Sequence, residues 1–258
     1  TLKSPFSLGP SRFTGIISAM QTWMDSAREW LGITLTNAQV EMFQRFEDEL
    51  LEWNQRFNLT AIRDSESVQR RHFLDSLSCL LALDPTQPPA SLIDIGTGAG
   101  LPGIPLKILF PSMALTLVES IQKKANFCAH MVETLQLSDS HVLALRAEDI
   151  ARDPAQRDAY ALATARAVAG MPTLVEYLLP LVRVGGLAIM QKGANIEDEL
   201  HQSANVIRLL GGRLRSVIPL TVPGVEGNRT LVVLEKIKPT PLGFPRRTGL
   251  AAKDPILN

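Results

Sequence analysis

Leu92-Ile-Asp-Ile-Gly-Thr-Gly-Ala-Gly-Leu-Pro-Gly103 is the stretch that decides the fold. An apolar run of strand texture leads into alternating glycines, and a helix can begin directly after them, at Pro102 or Ile104. Glycines at 96, 98 and 100 permit positive φ and let a ligand lie against the backbone where a Cβ would stand in the way. A purely structural turn needs one such glycine, so three at alternate positions mark a ligand loop. Outward from this loop, apolar runs recur at 114–118, 141–145, 159–163 and 187–190, separated by helical segments. That is the rhythm of βα units, and it predicts a parallel sheet. After Gly211-Gly212 come two β-rich runs, 214–222 and 230–237, joined by turn residues with no room for a helix. They are expected to pair antiparallel.

Upstream the pattern is helical. Thr36 is a good N-cap with Gln39 three residues on, and Val40, Phe43, Phe46, Leu50, Trp53 and Phe57 follow at spacings of three and four, predicting one amphipathic helix that ends near Asn58. A second helix is expected from Ser65, with Arg70, Leu74, Leu77 and Leu81 along one side, stopping before Asp84-Pro85. The expected organisation is a loosely ordered leader over 1–15, a helical region over 16–89, a Rossmann-like domain over 90–238 and a basic Pro/Gly-rich tail over 239–258. A length of 258 residues suits this single α/β unit with a helical extension, and 45% apolar with 20% charged residues is an ordinary folded composition. Formal net charge is +0, so any attraction for a polyanion must come from local clusters. Cys79 and Cys128 are the only cysteines, which excludes a disulfide framework and a four-cysteine zinc site and suits a reducing, cytoplasmic compartment. Cys128 falls in a helical apolar pattern and reads as a buried structural thiol. No uncharged apolar span is long enough to cross a bilayer, and no metal is expected.

The ligand is a closer question. Gly98-x-Gly100-x-x-Gly103 satisfies the dinucleotide fingerprint, and Glu119 lies near the offset of a ribose-binding acid, so a nicotinamide enzyme is one reading. Two features favour S-adenosylmethionine. Asp94 precedes the glycines by two residues, where a carboxylate can hold the methionine amino group directly or through water, and the domain ends in an antiparallel strand pair. Glu119, closing the second strand, would then accept from both ribose hydroxyls, unless it merely caps a helix. Glu148, just past the third strand, would frame the adenine, with Asp149 as an alternative cap of the next helix.

Several motifs now stand in order: Asp94-Ile-Gly-Thr-Gly-Ala-Gly-Leu-Pro-Gly-Ile-Pro-Leu106, Val118-Glu-Ser with Lys123-Lys124, Arg146-Ala-Glu148, Ala165-Arg-Ala-Val-Ala169 and Lys192-Gly193. Upstream are Trp53-Asn54, Phe57-Asn-Leu-Thr-Ala-Ile62 and His72-Phe-Leu-Asp-Ser-Leu77, and downstream Phe244-Pro-Arg-Arg247. Together, over roughly residues 30 to 257, they resemble the RsmG family, also called glucose-inhibited division protein B. The resemblance implies a Rossmann-like S-adenosylmethionine-dependent methyltransferase fold, with a mostly parallel seven-stranded sheet and an antiparallel last strand. It also implies methylation of N7 of a guanine in the 530 loop (guanine 527) of bacterial 16S rRNA, with the rRNA or small ribosomal subunit as partner. By position it carries over Gly96, Leu101, Ala147, Glu148 and Arg166 as the cofactor set, to which the glycine loop adds Asp94, Gly98 and Gly100, and the second strand Glu119. Two departures are visible: Thr164-Ala165 where the family often has a serine before the arginine, and Lys253-Asp254 where the tail is usually more basic.

Guanine N7 has a lone pair and no proton, so such chemistry requires no general base and none is assigned. No Asn/Asp-Pro-Pro-aromatic motif of amino-group methylases follows the fourth strand. Arg166 is the candidate that lies between cofactor and base, with a surface salt bridge as its plain alternative. His72 and Asp75 share a helical face and either meet the active-site rim or form a structural pair. RNA contact is expected from Arg70-Arg71, Lys123-Lys124, Lys192, Arg213, Arg215, Arg229 and Arg246-Arg247. Two other readings stay open on the residues alone: a non-catalytic RNA-binding assembly protein on a methyltransferase fold, and a small-molecule methyltransferase.

Overall fold

A computed structural model describes residues 22–84 and 86–258. The leader expected over 1–15, the start of the helical region at 16 and Pro85 lie outside them. Seven strands form one sheet: β1 (Ser91–Ile95), β2 (Ala114–Val118), β3 (Ser140–Leu143), β4 (Tyr160–Arg166), β5 (Val182–Lys192), β6 (Gly212–Leu220) and β7 (Arg229–Lys236). Their order is β3-β2-β1-β4-β5-β7-β6. The first five run parallel, and β7 is antiparallel to both β5 and β6, as the paired β-rich runs predict. The strands β4 and β5 run longer than their apolar cores suggest, because β5 pairs with β4 as far as Arg166 and β7 pairs with β5 as far as Lys192.

Central strands alternate between two buried faces. Leu92, Leu115, Leu117, Leu231 and Val233 face one core, while Ile93, Ile95, Val232 and Leu234 face the other. The second core is covered by α8 (Met171–Leu178) and α9 (Glu197–Leu209). The first is covered by α5 (Gly103–Leu109), α6 (Gln122–Thr134) and the N-terminal helices, α1 (22–31) and α2 (Asn37–Phe57). The N-terminal helices have no core of their own. Trp23, Phe43, Phe46 and Phe73 stack at centroid spacings of 5.1–6.0 Å, and Phe46 reaches Phe127 of α6 at 6.3 Å. These rings fuse the extension to the sheet layer.

The α2 start carries the expected capping box: Gln39 N–H donates to the Thr36 hydroxyl, and Gln39 Oε1 accepts from Thr36 N–H at 2.9 Å. The second helix departs from expectation. It begins at Ser65 as α3 (Ser65–Val68), widens into a π turn over Gln69–Leu74, and continues as α4 (Asp75–Leu77) and a 3-10 turn over Ser78–Ala82. Each residue added to a turn rotates the rest of the helix by about 100°. The side expected to carry Arg70, Leu74, Leu77 and Leu81 is therefore split: Leu74 and Leu77 are fully buried, and Leu81 is exposed. The same turn aims Arg71, His72 and Asp75 at the rim of the sheet.

Candidate functional site

The C-terminal ends of β1 to β4 meet at one rim, the edge at which open α/β sheets bind ligands. Three cavities adjoin there. A narrow crevice of about 70 Å³ lies between Gly96, Val118, Leu145, Glu148, Val168 and Tyr177. A cavity of about 220 Å³ follows the glycine loop past Gly96, Gly98, Leu101, Lys124 and Arg166. The largest, about 440 Å³, is walled by Arg71, His72, Asp75, Arg166, Gln191 and Arg229. Gly96 borders the first two, while His72, Arg166 and Ala167 border the last two.

The loop has the geometry its glycines allow. Gly96, Gly98 and Gly100 sit at φ +64°, +62° and +83°. A Cβ on Gly96 would lie 2.6 Å from Val168 Cγ2, whereas one on Gly98 would project into open space. The bare backbone at Gly98 is thus part of the cavity surface, a cradle that any side chain would fill. Cys128, buried on α6, donates its thiol to Gly98 O at 3.4 Å, and burial pushes that thiol above the usual cysteine range. It is a structural thiol.

Asp94 sits behind the loop. Its carboxylate borders none of the three cavities and is fully buried, accepting from the Thr97 hydroxyl at 2.6 Å, Gly103 N–H at 2.9 Å and the Thr164 hydroxyl at 3.1 Å. Register explains the last contact, because Asp94 and Thr164 are directly paired across β1 and β4. Burial pushes the Asp94 pKa up to about 6, against these three donors that favour the charged form. Asp94 braces the loop from behind. Glu119, at the end of β2, accepts on both oxygens, Oε2 from Gly98 N–H at 3.0 Å and Oε1 from Ile121 N–H at 2.8 Å. It ties the loop to the end of β2.

Glu148 and Ala147 open the short helix α7 (Ala147–Ile150) at the crevice. Asp149 is not a cap; it lies within α7 and accepts from the Thr248 hydroxyl at 2.6 Å. Glu148 Oε1 accepts from Gly249 N–H at 2.8 Å, so the tail holds the crevice wall. Burial first, then the charge of Glu148, raise the Tyr177 phenol to about 12, keeping it protonated. The tail is anchored by Arg246, whose Nε and Nη2 fork onto Glu176 at 3.0 and 2.8 Å while its own N–H donates to Oε1 at 2.7 Å. Arg246 is thereby withdrawn from the expected RNA-contacting set, because a buried carboxylate on α8 requires a partner; Arg247 remains exposed.

On the other side of Arg166, its Nη1 donates to Asp75 Oδ2 at 2.8 Å, so His72 and Asp75 belong to the rim. Arg166 itself ends β4 instead of following it. Gln191 Nε2 donates to the Asp75 carbonyl at 2.8 Å, and the Ser78 hydroxyl donates to the same carbonyl at 2.6 Å. His72 Nδ1 lies 3.1 Å from the Arg71 carbonyl, which only accepts, so Nδ1 carries the proton and Nε2 accepts from Thr60 at 2.8 Å. Burial and then the Arg166 charge lower its pKa to about 3, so the ring is neutral.

The basic residues divide. Arg71, Lys192 and Arg229 line the largest cavity and Lys124 the loop cavity, although Lys192 also pairs with Glu199 at 2.7 Å. Arg70 pairs with Glu66, and Arg213 on the edge strand β6 with Glu235. Arg215 and Lys123 are exposed. Leu145, Val168, Tyr177 and Gln191 are site residues that sequence reading missed. Leu145 is 49% and Val168 37% exposed, and both line the crevice. Among the described residues no group of three or more His, Cys, Asp or Glu is placed to hold a metal, and no helix is long and apolar enough to cross a membrane.

Comparison with known proteins agrees with this architecture. The family model described as rRNA small subunit methyltransferase G matches residues 39–231. Ribosomal RNA small subunit methyltransferase G of Roseiflexus sp. (strain RS-1) is 51% identical over 237 residues, covering 92% of this chain and 100% of that one. The protein of the same name from Chloroflexus aggregans (strain MD-66 / DSM 9485) is 47% identical, covering 90% and 96%. Among solved structures, MtNAS in complex with MTA and tNA superposes with a TM-score of 0.51 at 15% identity, covering 90% of each chain. The StiE O-MT fragment gives 0.51 at 17% identity, covering 67% of this chain and 75% of that one. These two likenesses are of fold.

Proposed function

The chain belongs to the rRNA small subunit methyltransferase G family, and from that premise we propose that it methylates N7 of a guanine in the 530 loop (guanine 527) of bacterial 16S rRNA, using S-adenosylmethionine. The observation that carries this reading is that the three neighbouring cavities share walls, the first two at Gly96 and the last two at Arg166. The crevice suits an adenine, with Leu145 and Val168 against its faces and Ala147 and Glu148 at its edge. Each Glu119 oxygen accepts one backbone N–H and keeps a second acceptor site, enough for two ribose hydroxyls. The bare backbone at Gly98, with Leu101 and Lys124, suits the methionine moiety. Gly96 and Gly100 hold the loop's curvature, and Asp94 acts through the loop it organises.

Bound there, S-adenosylmethionine supplies an electrophilic methyl group that a nitrogen lone pair takes up as the bond to sulfur breaks. Guanine N7 has such a lone pair and no proton to lose, so the absence of a general base from the assignment costs nothing. The residues of this chain orient: alignment of reacting groups is worth up to about 7–11 kcal/mol in well-oriented systems. His72 is neutral and holds the rim without competing for charge. Arg71, Arg229 and Lys124 give the mouth a positive field for phosphates. The substrate places the protein in the cytoplasm, with the small ribosomal subunit as partner.

The test is transfer of labelled methyl to small subunits and to naked 16S rRNA from cells lacking the activity, with the modified base mapped. Label at guanine N7 in the 530 loop is the expected result. Binding of S-adenosylmethionine without transfer to either form of the RNA would overturn the assignment.

A further inference from the structure

We propose that Asp75, together with Arg166, selects guanine over adenine by reading the O6 and N1–H positions of the base; this rests on the guanine-N7 reading above. The two side chains form a fixed donor and acceptor side by side. Arg166 Nη1 lies 2.8 Å from Asp75 Oδ2, and both line the cavity of about 440 Å³, within the range that holds small ligands. Arg166 also borders the loop cavity, so it stands where the two chambers join. On a guanine ring N7, O6 and N1–H follow one another around the edge. With N7 turned toward the loop cavity, O6 falls to the guanidinium at the junction, and N1–H falls to the next group along, the Asp75 carboxylate.

Asp75 is equipped for this. Its main chain is fixed by Gln191 and Ser78. Its Oδ2 is taken by Arg166, while Oδ1 has no hydrogen-bond partner among the described residues, and Arg229 Nε stands off at 3.8 Å. That oxygen is an acceptor in a wall otherwise supplied with donors by Arg71, Arg166, Lys192 and Arg229. Adenine presents the reverse order, an amino group at position 6 and a bare N1. It would set its amino hydrogens against the guanidinium and its N1 lone pair against the carboxylate. Desolvated polar groups facing their own kind reject a ligand more strongly than a missing contact does.

The test uses small subunits reconstituted with guanine, inosine, 1-methylguanine or adenine at the target position. Inosine keeps O6 and N1–H and should be methylated by the wild-type protein near the guanine rate. Blocking N1 in 1-methylguanine, or reversing the edge in adenine, should lower kcat/KM by about 10- to 100-fold. Asp75→Asn should narrow the guanine-to-adenine ratio by a similar factor, and this ratio is unaffected by the fraction of variant that folds. Methylation of 1-methylguanine at the guanine rate, or an unchanged ratio in Asp75→Asn, overturns the assignment of Asp75 while the guanine-N7 reading stands. No transfer by the wild-type protein to guanine-bearing subunits would overturn both.

Discussion

The two sides of Arg166 are built on opposite plans. The glycine-loop side is wired mostly within the loop: Asp94 bonds to residues 3 and 9 positions away and across the sheet to Thr164, 70 away, and Glu119 bonds to residues 2 and 21 positions away. Asp94 is turned inward onto two hydroxyls and a backbone N–H, and Glu119 ties two backbone N–H groups together. The far side is wired across the chain, with Asp75 joined to Arg166 over 91 positions and to Gln191 over 116, and its charges face the cavity. The loop presents bare backbone with the Asp94 charge behind it, whereas the far wall carries its Asp75 and Arg166 charges in front.

The contrast is broken most severely by Asp94→Ala, which strips the acceptor from two hydroxyls and a backbone N–H at once. Unfolding in denaturant should show a loss of about 3 kcal/mol, with S-adenosylmethionine binding lost in titration calorimetry. Wild-type stability and affinity would show that the loop does not depend on its buried carboxylate.

Acid titration sharpens the contrast, because the two sides respond with opposite sign. Unfolded His72 titrates near 6.5 and the folded ring only at about 3, so the unfolded chain takes up the proton first. That contribution is complete above 6.5 and drains as pH falls through the window. In His72→Gln, the loss of stability between pH 7 and 5 should be smaller than in the wild type by roughly 2 kcal/mol. Asp94, raised from 3.8 to about 6, gives the reverse: the folded state takes the proton first, and stability rises as pH falls across that window. A His72→Gln profile that parallels the wild type would mean that the ring is not held neutral.

Thr164→Val removes one of the three donors to Asp94 and keeps the strand, for a cost of about 1 kcal/mol in a denaturant titration. Smallest of all is Arg213→Ala, an exposed arginine on the edge strand paired with the half-buried Glu235. Neither melting temperature nor methyl transfer should change measurably. A clear drop in transfer would extend the RNA-contacting surface to that edge.

The same difference in wiring explains what the sequence discloses. Strand runs, alternating glycines and the Thr36 capping box are local patterns, and the order of strands β1 to β7 along the chain is read from their spacing. The Asp94 side chain is harder to place: its position two residues before the glycines is visible, but the partner across the sheet that turns it inward depends on register with β4. On the far side, the pairing of Asp75 with Arg166 is hinted at only by a shared helical face with His72, since a π turn that resets the phase leaves no mark in apolar spacing. Leu145 and Val168 look like core residues in sequence, and only the folded rim shows that they are exposed. Arg246 reads as one more basic tail residue until its buried partner on α8 appears.

Gly249 donates its N–H to Glu148 over 101 positions, and this has a consequence for the order in which the protein comes into being. A chain leaving the ribosome exposes its glycine loop and every strand before the residue that steadies the Glu148 side of the crevice has been made. That wall is therefore completed after the sheet, and products terminated short of Gly249 would lack the tie.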